Sequence, residues 1–212
     1  ITRKLPEKIE EKLEEKFSVL VNKADKKYTY KDLKRKIKDI DILVPCVSDT
    51  IDASIIRAGK KLKLIANFGN GVDNLDLITA KEKNVIVTNT PDVLTEDTAD
   101  VVLTMFLMIH RKILLARQRL LNGKWDGWGP SETLGERVMG KKVGIIGMGR
   151  IGLAVAKRLS TLGMHIHYHN RNRLKKNLEK KYGAVYWNEL DEMLSKVDVL
   201  TIHCPHTPET FH

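Results

Sequence analysis

Three glycines at fixed spacing, Gly147, Gly149 and Gly152 in GMGRIG, are the residues of this chain best suited to chemistry on a phosphate. The β-branched run KVGII leads into them, and a run bearing alanine and leucine leads out, so strand, turn and helix follow in order. In that setting the first glycine permits a tight turn, the second lets the backbone approach a pyrophosphate, and the third lets helix and strand pack closely. The start of the helix adds free N–H groups and the positive end of its dipole. The other reading of such a turn is that its glycines serve packing alone.

The next strand decides which nucleotide fits. In NAD-binding chains an acid about 20 residues beyond the glycines accepts from the ribose 2′-hydroxyl. Here the stretch is HIHYHNRNR: Asn170 stands 23 residues after Gly147, and no Asp or Glu occurs between Gly152 and Glu179. An acid would repel a 2′-phosphate, whereas Arg171 and Arg173 can take it in forked, charge-assisted hydrogen bonds with Asn170 as a neutral donor. The stretch therefore points to NADP, with NAD possible; the alternative is a pair of solvated arginines in a basic chain. His165, His167 and His169 alternate and so share one face of this strand, which three imidazoles could offer to zinc. No acid or cysteine stands nearby to complete such a site, and a metal is not expected.

The elements that must hold these residues follow from periodicity. In the second half, strands at 142–147, 164–169, 184–187 and 198–203 alternate with helices at 150–162, 174–182 and 188–195. In the first ninety residues strands are expected at 17–22, 41–46, 63–68 and 84–89, with helices at 6–16, 30–38, 52–60 and 74–83, the last two capped by Asp52 and Asn74. One long helix over 95–121, opened by Thr95 and closed by Gly123, is expected to join the halves and to be buried along much of its length. The segment KWDGWGPSETLGERVMG then wraps back as a loop. This is an α/β chain of two domains, 1–94 and 95–212. The second shows four strands where a full dinucleotide-binding sheet has about six, so the sequence reads as part of a longer protein.

Composition narrows the partners. A net charge of +10 comes from lysines spread over many helical segments, not from a basic tract interleaved with aromatics, so a solvated basic surface is expected and nucleic acid is not. Cys46 and Cys204 have neither disulfide nor metal spacing, and a reducing, cytoplasmic setting is the default. The longest apolar run, residues 101–109, is far short of a membrane span, and no membrane partner is expected.

The stretches NFGNGVDNLDLITAKEKNVIVTNTPDVLTEDTAD, WDGWGP, GKKVGIIGMGRIG and HCPHTPETFH together resemble the D-isomer-specific 2-hydroxyacid dehydrogenases over essentially the whole chain. GMGRIG with HYHNRNR and WDGW is most similar to the glyoxylate and hydroxypyruvate reductase branch, which tends towards NADPH. The resemblance implies a flavodoxin-like substrate domain followed by a Rossmann domain, and hydride transfer to a small 2-oxo acid. It implies that the backbone at Asn70 and Gly71, with Val47 and Ser48 alongside, receives the substrate carboxylate. For the cofactor it implies Thr98 near the nicotinamide, Met148, Gly149, Arg150 and Ile151 at the pyrophosphate, Asn170, Arg171, Asn172 and Arg173 at the ribose phosphate, and Cys204, Pro205 and Thr210 on the adenosine side. The family's catalytic arginine, glutamate and histidine would lie beyond His212, so no catalytic residue is assigned in this chain. His110, His203, His206 and His212 are not expected to replace them, and the 212-residue chain alone is expected to be inactive. A homodimer is implied, with the 95–121 helix and the KWDGWGP loop as its surface. The other readings are a nicotinamide-nucleotide-binding module without catalysis, and a relative acting on phosphoglycerate.

Overall fold

The computed structural model describes residues 1–205, 207 and 210. The chain divides into two compact units, Ile1–Val93 and Leu94–His212. Each has its own core.

The first unit is a parallel sheet of β1 (Ile42–Leu43), β2 (Leu64–Ala66) and β3 (Ile86–Thr88) in the order β1-β2-β3. Its helices are α1 (Glu7–Glu14), α2 (Tyr30–Lys36), α3 (Ala53–Ala58) and α4 (Leu77–Glu82). Ile37, Ile51, Ile55, Ile56 and Ile65 are fully enclosed between sheet and helices. Branched aliphatics fill that layer because a βαβ crossover covers the sheet faces. Asp52 caps α3 by accepting from Ile55 N at 2.9 Å, as expected. The cap of α4 is Asp76, not Asn74: Asp76 accepts from Thr79 N at 2.8 Å, while Asn74 turns its amide inward for another task.

The expected strand at 17–22 forms no ladder. The Ile1 ammonium donates to Leu20 O at 2.9 Å, and Thr2 N donates to Val44 O at 3.0 Å. Residues 1–2 therefore lie between residue 20 and the end of β1 without adding a strand to the sheet. Two residues are too few to zip a strand, and Phe17 and Leu20 stay exposed.

The second unit opens with α5 (Thr95–His110) and α6 (Ile113–Leu121). The single long helix expected over 95–121 is thus two helices, broken where Lys112 takes a left-handed conformation with φ of 49°. The reason is tertiary. The returning loop places Glu136 N on His110 O at 2.6 Å, and a side chain at Gly135 would lie 2.5 Å from that carbonyl. The carbonyl at the end of α5 is thereby engaged by the loop. Nor is the pair buried: Ala99 and Phe106 are enclosed, while Val101, Met105, Ile109, Leu114 and Leu121 are exposed. Gly123, at φ of 64°, closes α6 as expected, with Gly123 N on Leu120 O and Lys124 N on Arg119 O.

β4 (Lys142–Ile146), α7 (Arg150–Thr161), β5 (His165–His169), α8 (Lys176–Tyr182), β6 (Val185–Tyr186), α9 (Leu190–Leu194) and β7 (Val199–Ile202) follow in the expected alternation. The sheet is parallel in the order β6-β5-β4-β7, so β4, which carries the glycine turn, is interior. Such a reversal of strand order opens a crevice at the carboxyl ends of the strands. Val143, Ile145, Ile166 and Tyr168 are buried against Val155, Ala156 and Leu159 of α7. Arg158 of α7 holds α5 by pairing with Asp100 at 2.6 Å and Glu96 at 2.8 Å.

Candidate functional site

Each glycine of GMGRIG meets a different demand. Gly147 has φ of 87°, and a Cβ there would lie 2.5 Å from Cys204 N, so only glycine lets the β4 and β7 ends approach. A Cβ at Gly152 would lie 2.7 Å from Gly147 O, which fixes how closely α7 seats on its own turn. At Gly149 a Cβ would meet nothing within 4 Å. The backbone is bare there, above the first turn of a twelve-residue helix whose opening N–H groups lack intrahelical acceptors. Met148 between them is fully buried and pins the turn into the core, while Arg150 is exposed.

Three strand ends converge on this turn. Asn170, just after β5, accepts from Met148 N through its Oδ1 at 2.6 Å, so it braces the glycine turn. His203 N, just after β7, donates to Ile146 O at 2.7 Å and delivers the Cys204 backbone to Gly147. Thr210 lies exposed, its hydroxyl donating to Pro205 O at 2.7 Å and accepting from Thr207 N at 2.8 Å. His206 and His212 lie outside the described residues. Thr98 sits in the first turn of α5, and no side chain caps that helix.

The two arginines beyond Asn170 are unlike. Arg171 is exposed, as is Asn172, and neither makes a hydrogen bond or ion pair among the described residues. Arg173 is engaged: its Nε and Nη2 reach the two carboxylate oxygens of Glu179 at 2.8 and 2.9 Å, and its guanidinium lies 5.3 Å from the Tyr186 ring centre. Arg173 and the Tyr168 hydroxyl hold the Glu179 carboxyl down at about 2. Burial and the same carboxylate push the Tyr168 phenol up to about 12. Sequence spacing gave no sign of this pairing, since residues six apart across a turn follow no helical or strand period. The histidines are also engaged. Trp187 donates its indole N–H to His167 Nδ1 at 2.9 Å, and His169 Nδ1 lies 3.1 Å from Trp187 O. Burial lowers the His167 and His203 imidazoles from their ordinary value.

In the first unit, Asn70 and Gly71 lie on the turn after β2, while Val47 and Ser48 are exposed beyond β1. What shapes this region was missed in the sequence: a pair of amides, Asn67 buried and Asn74 half-buried. Asn67 donates to Gly71 O at 2.8 Å and exchanges hydrogen bonds with Asn74, which also donates to Cys46 O and Asp49 O at 3.3 and 3.1 Å. Asn89 donates to Asn70 O at 2.8 Å. With the carbonyls of Asn70 and Gly71 turned to these amides, the loop's carbonyl oxygens are occupied inside the unit. Gly69 admits Val47, whose Cγ1 would clash with a Cβ there.

A mononucleotide-binding half-sheet with an open glycine turn matches what comparison with known proteins finds. Residues 103–212, just over half the chain, match the model of the D-isomer specific 2-hydroxyacid dehydrogenase NAD binding domain. A glyoxylate reductase of Thermococcus onnurineus (strain NA1) is 39% identical over 216 residues, spanning 100% of this chain and 64% of the relative. One of Korarchaeum cryptofilum (strain OPF8) is 38% identical over 213 residues, with the same shares covered. A solved protein of Polaromonas sp. JS6 66, described by the same family name, superposes with a TM-score of 0.90 at 35% identity, covering 98% of this chain and 65% of that one. The chain thus spans about 64% of the length of the curated relatives it matches. It belongs to the D-isomer specific 2-hydroxyacid dehydrogenase family, and its second unit carries that family's nicotinamide-nucleotide-binding fold.

Proposed function

We propose that this chain supplies the substrate-binding and nucleotide-binding parts of a reductase that turns a small 2-oxo acid, glyoxylate or hydroxypyruvate, into its 2-hydroxy acid. One observation carries the reading: the ends of β4, β5 and β7 meet at a glycine turn that is closed by protein at Gly147 and Gly152 and open at Gly149. That shape fits a dinucleotide. Gly149, Arg150 and Ile151 would receive its pyrophosphate on the first-turn N–H groups, the loop 170–173 would border its ribose phosphate with Arg171 as the contacting charge, and Cys204, Pro205 and Thr210 would line its adenosine side, with Thr98 near the nicotinamide. When bound, the reduced nicotinamide would supply a hydride to the carbonyl carbon of the 2-oxo acid, becoming oxidised, and the alkoxide so formed would take up one proton to give the 2-hydroxyl. The backbone N–H groups at Asn70 and Gly71 would hold the substrate carboxylate, a small anion suited to such a nest. Residues 1–94 then act as the substrate domain and 95–212 as the cofactor domain.

NADP is the preferred cofactor on this reading. Support comes from Asn170 standing where an acid would select NAD, and from the exposed guanidinium of Arg171, which makes no hydrogen bond or ion pair among the described residues. The exposed apolar side chains of α5 and α6, with Trp125 and Trp128, support a homodimer in the intact protein. No helix among the described residues is long and apolar enough to cross a membrane, and the two free cysteines fit a reducing, cytoplasmic setting.

The test is an assay of the intact protein with glyoxylate, hydroxypyruvate and phosphohydroxypyruvate, each with NADH and NADPH. Turnover is expected to be greatest with one of the first two and NADPH, in a preparation that sediments as a dimer. Cofactor binding without turnover of any of the three would return the chain to the non-catalytic reading. Preference for phosphohydroxypyruvate would move it to the phosphoglycerate branch.

A further inference from the structure

We propose that Glu179 is a positioning residue for cofactor selectivity, and that Arg173 is a strut of its loop and not a ligand of the cofactor's phosphate. The inference rests on the reading of residues 170–173 as the 2′-phosphate site.

Four groups from β5, α8 and the loop between them close a ring. Tyr168 of β5 donates its hydroxyl to Glu179 Oε1 at 2.6 Å and accepts from Leu174 N at 3.0 Å. Glu179 of α8 takes the fork of Arg173 through both oxygens. The loop 170–174 is therefore stapled at its far end to the strand on which it begins. At its near end, Asn170 is tied to the glycine turn through Met148 N. Between the two ties lie Arg171 and Asn172, exposed and uncommitted.

The consequence for charge is specific. The forked donors Nε and Nη2 of Arg173 are spent on a carboxylate, and its charge is balanced at contact distance. Arg171 keeps a full, unbalanced charge on a backbone whose course is set by the ring. Glu179 is nearly enclosed, with the tyrosine hydroxyl and the guanidinium as its partners, so the ring fails if the carboxylate is lost.

Replacing Glu179 by glutamine separates two accounts by sign. Removing a negative charge near a bound phosphate would, by charge alone, tighten NADPH binding. Removing the clamp that sets the loop would weaken it. The experiment measures KM for NADPH and NADH in the intact protein, together with calorimetric affinity for 2′,5′-ADP and 5′-AMP, which needs no turnover.

Arg171→Gln is expected to raise the NADPH KM about tenfold, the loss of one charge-assisted phosphate contact, with NADH changed less than about twofold. Glu179→Gln is expected to raise the NADPH KM and weaken 2′,5′-ADP binding about fivefold, with NADH and 5′-AMP nearly unchanged. Tyr168→Phe, which keeps the ring's volume and the Arg173 pair, should move the same readouts the same way by less. It carries the test if Glu179→Gln does not fold. Unchanged or tighter NADPH binding in Glu179→Gln, or equal losses for both cofactors, overturns the inference. Equal effects of Arg171→Gln on both cofactors instead overturn the NADP reading beneath it.

Discussion

The two glycine-bearing turns of this molecule, one after β2 and one after β4, are built on different principles. The turn after β4 is enforced by backbone sterics: Gly147 and Gly152 each stand where a Cβ would strike main-chain atoms, and Gly149 stands where it would strike nothing. The turn after β2 is enforced by side chains. A Cβ at Gly71 would come only within 3.5 Å of Asp73 Oδ2, and the course of the chain is set by the amides of Asn67, Asn74 and Asn89. A site for a pyrophosphate needs bare backbone. In the loop after β2 the carbonyls of Asn70 and Gly71 are taken up by the side-chain amides of Asn89 and Asn67.

The largest effect should come from breaking the first principle. Gly147→Ala forces a positive-φ alanine into Cys204 N, and is expected to lower stability by about 3 kcal/mol and abolish 2′,5′-ADP binding, read by denaturant midpoint and calorimetry. Gly149→Ala sharpens the point: the melting temperature should hold while affinity for the same probe falls about tenfold. A stability loss at Gly149 equal to that at Gly147 would erase the distinction between the two glycines.

Breaking the second principle should be milder and should fall elsewhere. Asn74→Ala removes its donors from Asp49 O and Cys46 O and its exchange with the Asn67 amide, an expected loss of about 2 kcal/mol. In the intact protein it should raise KM for the 2-oxo acid and leave KM for the cofactor alone. A change in cofactor KM of the same size would count against the separate roles of the two turns.

Of the two turns, the one after β2 was placed by resemblance and its supporting side chains were not seen, whereas the one after β4 was legible from local signals. Its glycines, the β-branched strand before them and the helix after them are local signals, and the alternation from β4 to β7 followed for the same reason. The Asn67–Asn74 pair joins residues that no local period links, and Arg173–Glu179 spans a loop. The break at Lys112 has neither glycine nor proline to announce it; its cause is residues 135–136 returning to His110. Residues 17–22 had the composition of a strand, but their backbone bonds are local turns apart from the Ile1 ammonium on Leu20 O, and no ladder forms. Asp76 displaced Asn74 as a cap because Asn74 was already engaged in the amide network.

The smallest expected effect is on acid stability. Glu179 titrates near 4.5 when free and near 2 in the folded chain, so its contribution is present above about 4.5 and is lost as pH falls towards 2. Glu179→Gln should therefore flatten the fall in stability over that range, followed by urea midpoints at successive pH values. An unchanged acid limb would mean that other carboxylates set it.

Trp187 gives the nucleotide-binding unit an optical reporter. Its indole donates to His167 Nδ1, so that nitrogen carries no proton and the neutral ring holds its proton on Nε2. Acidification that protonates Nδ1 removes the acceptor and changes the indole's surroundings. Trp125 and Trp128, both largely exposed, do not share this coupling. Emission from Trp187 is thus expected to respond to a change at β5, the strand from whose end Asn170 braces the glycine turn.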